Sequence, residues 1–122
     1  MITADDVIRA LSTLRCPFVP YEEDIHLMVF RCLEEAGLTP IHEAKLGPGC
    51  RIDILCENIG IEIKRGHPSL RMLIRQLERY AMFSQISALI VITQRKMKLP
   101  EKICSKPVFV ICLNALWGVA LP

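Results

Sequence analysis

The chain has 122 residues, 15 Lys and Arg against 13 Asp and Glu, and a formal net charge of +2. That length is expected to make one domain, residues 1–122, burying about two thirds of the surface its unfolded chain exposes. No apolar run approaches the roughly 18 residues needed to span a bilayer, and Asp5 and Asp6 stand where a signal peptide is basic, so membrane-spanning and secreted classes are set aside and a soluble, cytoplasmic protein is expected.

Thr3 is placed to cap a first helix, because its hydroxyl can accept from a free backbone N–H while Asp5 and Asp6 put negative charge in the positive first turn. That helix is expected to run to about Leu14. The prolines of Cys16-Pro17-Phe18-Val19-Pro20 then enforce an extended connector. A second helix runs from about Tyr21 to Ala36 and stops at Gly37, with Ile25, Val29, Cys32, Leu33 and Ala36 as its buried stripe. Glu22 projects within about 50° of the centre of that stripe when each residue is turned by about 100°, whereas Glu23 and Asp24 point away. All three acids also suit the positive end of the helix.

Pro40 to Leu46 reads as a first strand, closed by Gly47-Pro48-Gly49. Alternation places Glu43 with Ile41 and Lys45, and His42 on the other face in a structural role. Two segments rich in β-branched residues follow, Arg51-Ile52-Asp53-Ile54-Leu55-Cys56 and Ile59-Gly60-Ile61-Glu62-Ile63-Lys64, separated by Glu57-Asn58. They read as an antiparallel hairpin. With a two-residue turn Cys56 pairs with Ile59, and counting outward sets Asp53 opposite Glu62; a one-residue slip would turn every side chain over. Two like charges at that separation destabilise a sheet unless something offsets them. Magnesium does so, since it is held by one or two carboxylates with waters and phosphate oxygens. Lys64 shares the face of Glu62, so its ammonium can reach the same water or phosphate. The alternative is a solvated outer face, with Ile52, Ile54, Ile61 and Ile63 packed inward; Leu55, on the Asp53 face, argues against it.

After Gly66-His67, Pro68 suits the first position of a third helix reaching about Gln85. Leu70, Leu73, Ile74, Leu77 and Ala81 form its buried face, Arg71, Arg75 and Arg79 an opposite stripe, and Gln76 and Tyr80 the border between them. Ala88 to Thr93 and Pro107 to Leu113 read as buried strands, joined by a basic loop containing Arg95, Lys96, Lys98, Lys102 and Lys106. Trp117 reads as a core anchor rather than a dimer contact. Residues 62–106 hold three acids and ten Lys or Arg, a candidate phosphate-binding surface. Six cysteines without a C-x-x-C pair read as buried reduced thiols, which disfavours zinc or an iron–sulfur cluster.

Asp53, Glu62 and Lys64 form a D-x8-E-x-K constellation, and Gln76 and Tyr80 form a Q-x-x-x-Y pair on the helix that follows it. From about Tyr21 to Thr93 the chain therefore resembles the PD-(D/E)XK nuclease superfamily, in particular its Holliday-junction resolvases and recombination-type exonucleases. Ile52 stands where the family pattern has proline. The absence of clustered cysteines speaks against the cluster-bearing exonucleases.

The resemblance implies an α/β, restriction-endonuclease-like core: a mixed central β-sheet flanked by helices, in the order helix, three strands, helix, strand, strand. It implies a Mg²⁺-dependent DNA nuclease, with Mn²⁺ able to substitute, acting on branched or single-stranded DNA and leaving 5′-phosphate and 3′-hydroxyl ends. Asp53, Glu62 and the Ile63 carbonyl would hold the metal, and Lys64 would orient water or stabilise the oxyanion. A further acid from the preceding helix is assigned to Glu22, with Glu43 as its rival. Gln76, Tyr80, Arg71, Arg75, Arg79, Lys96 and Lys98 would contact substrate. Cutting a junction or both strands of a duplex would need two sites, hence a homodimer. Two other readings stay open: a nucleic-acid-binding module without catalysis, and an interaction protein whose acids are surface charges.

Overall fold

Thr3 and Asp6 close a reciprocal cap on the first helix, α1 (Ala4–Leu11): the Thr3 hydroxyl accepts from Asp6 N–H, and the Asp6 carboxylate accepts from Thr3 N–H at 2.8 Å. The computed structural model describes residues 1–14 and 21–113. The expected connector at residues 16–20 and the Trp117 anchor lie outside that range. The second helix, α2 (Glu22–Glu35), buries Ile25, Val29, Cys32 and Leu33, while Ala36 caps its end exposed. Three strands follow, β1 (Pro40–Gly47), β2 (Cys50–Cys56) and β3 (Ile59–Lys64), then α3 (Leu70–Ala81), β4 (Ala88–Thr93), β5 (Lys102–Ile103) and β6 (Lys106–Cys112).

These elements make an α/β fold in which three helices flank a mixed six-stranded sheet of order β1-β2-β3-β4-β6-β5. β2 is antiparallel to β1 and β3, β4 is parallel to β3 and β6, and β5 is antiparallel to β6. The β2–β3 register is the one the turn length implies, with Cys56 opposite Ile59, Leu55 opposite Gly60 and Ile54 opposite Ile61. No helix among the described residues is long and apolar enough to cross a membrane.

Strict alternation divides β3 between two cores. Ile59, Ile61 and Ile63 pack with α1 and α2 through Val7, Leu11, Ile25 and Leu33. Gly60 and Glu62 face α3, whose Leu73, Leu77 and Ala81 pack with Leu89 and Val91 of β4. β2 departs from alternation at one place. Ile54 and Cys56 belong to the α2 core, but Ile52 and Cys50 belong to the α3 core. The expectation that Ile52 and Ile54 share a face is thus corrected: β2 changes face at Asp53. β1 changes beside it, with His42 against Phe30 of α2 and Ala44 and Leu46 in the α3 core. Between them Glu43 has φ +52 and interrupts the ladder, which runs His42↔Ile54 and then Ala44↔Ile52. A left-handed residue inside a strand is a local kink, and such conformations gather at functional sites.

Helix α3 differs from expectation at its start. Leu70, not Pro68, takes the first helical position, Ser69 is the cap, its hydroxyl accepting from Met72 N–H, and Leu70, expected on the buried face, is exposed. The expected basic loop is also shorter, since Lys102 lies in β5 and Lys106 in β6, where its ammonium donates to the Phe83 carbonyl at 2.7 Å. Cys32, Cys50 and Cys56 are buried free thiols, and burial pushes the Cys56 thiol up to about 11, so it stays protonated; Cys104 is exposed, contrary to expectation.

Candidate active site

The β2–β3 ladder is taken over by side chains where the two acids meet. Past Ile54 and Ile61, the Asp53 carboxylate accepts from Ile63 N–H at 2.8 Å, and Glu62 Oε1 accepts from Asp53 N–H at 3.4 Å. Each acid therefore fills a backbone role in the partner strand, and the strands are held apart at that level. A residue in an extended strand sends its N–H and C=O toward the same neighbour, so the Ile63 carbonyl also faces β2 and Asp53. Lys64 Nζ lies 3.2 Å from Glu62 Oε2. The three residues of the constellation thus converge, with Glu62 2 % exposed and Lys64 27 % exposed at the rim.

Burial sets the electrostatics. It pushes the Glu62 carboxyl up to about 7, with the neighbouring Asp53 charge adding to the rise and Lys64 and Tyr80 opposing it. Asp53 is raised as well, chiefly by burial, against the pull of the Ile63 N–H, His26 and Lys64. A buried and a half-buried acid that both resist ionisation form a site that a cation would relieve.

Helix α3 brings Tyr80 to the acids from the other side. Its hydroxyl lies 3.1 Å from Glu62 Oε1 and 3.0 Å from the Arg51 carbonyl, and it is buried rather than at a margin. One hydroxyl proton serves two acceptors here; when Glu62 is protonated it can donate to the tyrosine oxygen and leave that proton to Arg51. Burial and the adjacent Glu62 raise the phenol's pKa, so Tyr80 remains a neutral donor. Gln76, one turn earlier, lines a groove with Lys64, Met72, Arg75 and Arg79. Arg79 also donates to the Gly49 carbonyl at 3.0 Å, which ties α3 to the β1–β2 turn. Arg71 is exposed outside that lining, and Lys96 and Lys98 line a separate hollow with Met97, Val110 and Cys112.

On the α2 side the structure adds a residue that sequence reasoning passed over. His26 Nε2 lies 3.8 Å from Glu22 Oε2 and 3.7 Å from Asp53 Oδ2. Its Nδ1 lies 3.1 Å from His42 Nε2, so one ring must donate and the other accept. Glu22 Oε1 accepts from Arg65 N–H at 3.2 Å, next to Lys64. Glu22 therefore borders the site, with His26 between it and Asp53, and Glu43 lines the same hollow. The available signal was Glu22-x-x-x-His26, one helical turn.

Among the described residues no three His, Cys, Asp or Glu side chains form a cluster ready to hold a metal. The groups that could hold a cation are Asp53 and Glu62 with the Ile63 carbonyl, and His26 lies beside Asp53. Two carboxylates and a carbonyl are hard oxygen donors, which fit Mg²⁺ or Mn²⁺ completed by water and phosphate. With a cation held between them, such a set could offset the charge of an anion and place the Lys64 ammonium beside it. Compared with protein-family models, curated proteins and solved structures, the chain matches none.

Proposed function

We propose that this protein is a metal-dependent nuclease that hydrolyses phosphodiester bonds of single-stranded or branched DNA, built on a restriction-endonuclease-like core. One observation carries the reading: a buried glutamate, Glu62, shares its oxygens with Lys64 and Tyr80 and lies against Asp53, on adjacent strands whose ladder is broken there. A structural ion pair needs no second acid beside it, and this site has one, the half-buried Asp53. The order of helices and strands supports the same reading.

Asp53, Glu62 and the Ile63 carbonyl would hold Mg²⁺ or Mn²⁺. When bound, the cation supplies a more acidic water and charge neutralisation at the scissile phosphate. Lys64 places its ammonium beside the developing oxyanion, a contribution of several kcal/mol in a dry site. Tyr80 fixes Glu62 in its rotamer. Gln76, Arg75 and Arg79 hold the flanking chain, and Glu22 and His26 orient Asp53 from α2. Attack on both strands of a duplex or junction calls for a homodimer, and the reading goes with a cytoplasmic protein.

A panel of single-stranded, duplex, flap and junction DNA and RNA, with Mg²⁺ and with chelator, tests this. Asp53→Asn is expected to abolish Mg²⁺-dependent cleavage while circular dichroism stays unchanged; cleavage retained by that variant would refute the assignment. A non-catalytic nucleic-acid-binding module is favoured by one fact, that Glu62 already has internal partners for both oxygens. Salt-dependent binding without hydrolysis under Mg²⁺ or Mn²⁺ would select it.

A further inference from the structure

The acid pair stands between two hollows of similar size and opposite charge. On the α3 side Lys64, Arg75, Gln76 and Arg79 line a groove of about 580 Å³ that has no Asp or Glu in its walls. On the α2 side Glu22, Glu23 and Glu43, with His26, His42 and Arg65, line a hollow of about 790 Å³. Both volumes lie in the range of sites that take small-molecule-sized groups, so size does not choose between them. Charge does.

A nucleic-acid strand carries one phosphate per nucleotide, and its affinity for protein comes mainly from Lys and Arg placed along that backbone. In the α3 groove a phosphate meets Lys64, Arg75 and Arg79. A strand continued past the acids into the α2 hollow would set phosphates against three carboxylates, with Arg65 as the opposing fixed cation. Like-charge juxtaposition of that kind costs several kcal/mol.

We infer that the strand is gripped on the α3 side alone, so that the site works at strand ends: the chain runs along α3 and terminates before the α2 hollow. The cleavage arm rests on the nuclease reading, whereas the binding arm does not. Hydrolysis at the terminal linkage consumes one water: its oxygen bonds to phosphorus, the bond from phosphorus to the 3′-oxygen breaks, and that oxygen leaves with a proton. The products are the terminal nucleotide and a strand ready for another cut.

The test compares an end-labelled linear oligonucleotide with its circularised form, for binding in chelator and cleavage in Mg²⁺. The linear form is expected to bind and react at least about tenfold better, as a like-charge barrier implies. Screening should shrink the preference as salt rises. Glu23→Lys, which touches none of the proposed machinery, should raise the relative rate on circles severalfold, and Arg75→Glu should weaken binding of the linear strand at least about tenfold. Circles bound and cut as well as linear strands would overturn the inference while leaving the nuclease reading intact. An end preference indifferent to both salt and Glu23→Lys would overturn it too. End-selective binding without hydrolysis on any substrate would support the grip and remove the nuclease reading. Absence of binding to either form would remove both.

Discussion

At the scale of single residues, Glu62 has the most measurable consequence. Its carboxyl is raised from an ordinary 4.5 to about 7, so the folded protein holds that proton more tightly than the unfolded chain does. The stabilising contribution is complete below about pH 4.5 and is lost as pH rises through about 7, a difference of about 3 kcal/mol. Glu62→Gln should remove this slope, so that urea unfolding of the variant changes less across that window than wild type. Equal slopes would show that the acid is not strained by its burial. Mn²⁺ should offset the loss in wild type at higher pH, seen as a rise in melting temperature absent from Glu62→Gln. Tyr80→Phe removes the hydroxyl shared by Arg51 O and Glu62 Oε1, leaving Glu62 Oε1 only the long bond from Asp53 N–H, and should cost about 1–3 kcal/mol in the same unfolding assay.

At the scale of elements, the close packing of Ile52, Leu89 and Ile86 over β3 depends on Gly60. A β-carbon there would sit 2.6 Å from Ile52 Cδ1, 3.0 Å from Leu89 Cδ2 and 3.1 Å from Ile86 Cδ1, on the α3 side two residues before Glu62. Gly60→Ala is therefore expected to overpack that core by about 1–3 kcal/mol, measured by denaturant unfolding. On the proposed nuclease reading the cleavage rate should fall with it, because Ile52, which must move, adjoins Asp53. Much of this arrangement was legible in the chain. The two-residue turn at Glu57-Asn58 set the β2–β3 register, and the Q-x-x-x-Y spacing put Gln76 and Tyr80 on one side of α3. His26 was not legible, because its meaning comes from Asp53, on a strand far along the chain, and helical periodicity reports only neighbours one turn away. Nor was β5, since a two-residue strand carries no periodicity.

For the molecule as a whole, the continuous apolar run foretold a β4 buried on both faces and alternation foretold that Ile61 and Ile63 share a face of β3, but neither foretold the change of face in β1 and β2. A period of two presumes an unbroken pleat, and the kink at Glu43, with φ +52, breaks it. The same break sets the acid pair between two cores, and the asymmetry of charge between the flanking hollows follows from which helix covers which side. Ile52→Ala and Ile54→Ala probe the two cores separately. Each should cost about 2–5 kcal/mol in denaturant unfolding, and the costs should be similar although the side chains point in opposite directions.

Because Ile52 pins one end of Asp53 into the α3 layer and Ile54 pins the other into the α2 layer, that aspartate is fastened from above and below like a rivet through two plates. Loosening either plate lets it swing. Warming should consequently blunt the proposed chemistry ahead of cooperative melting, whichever layer softens first.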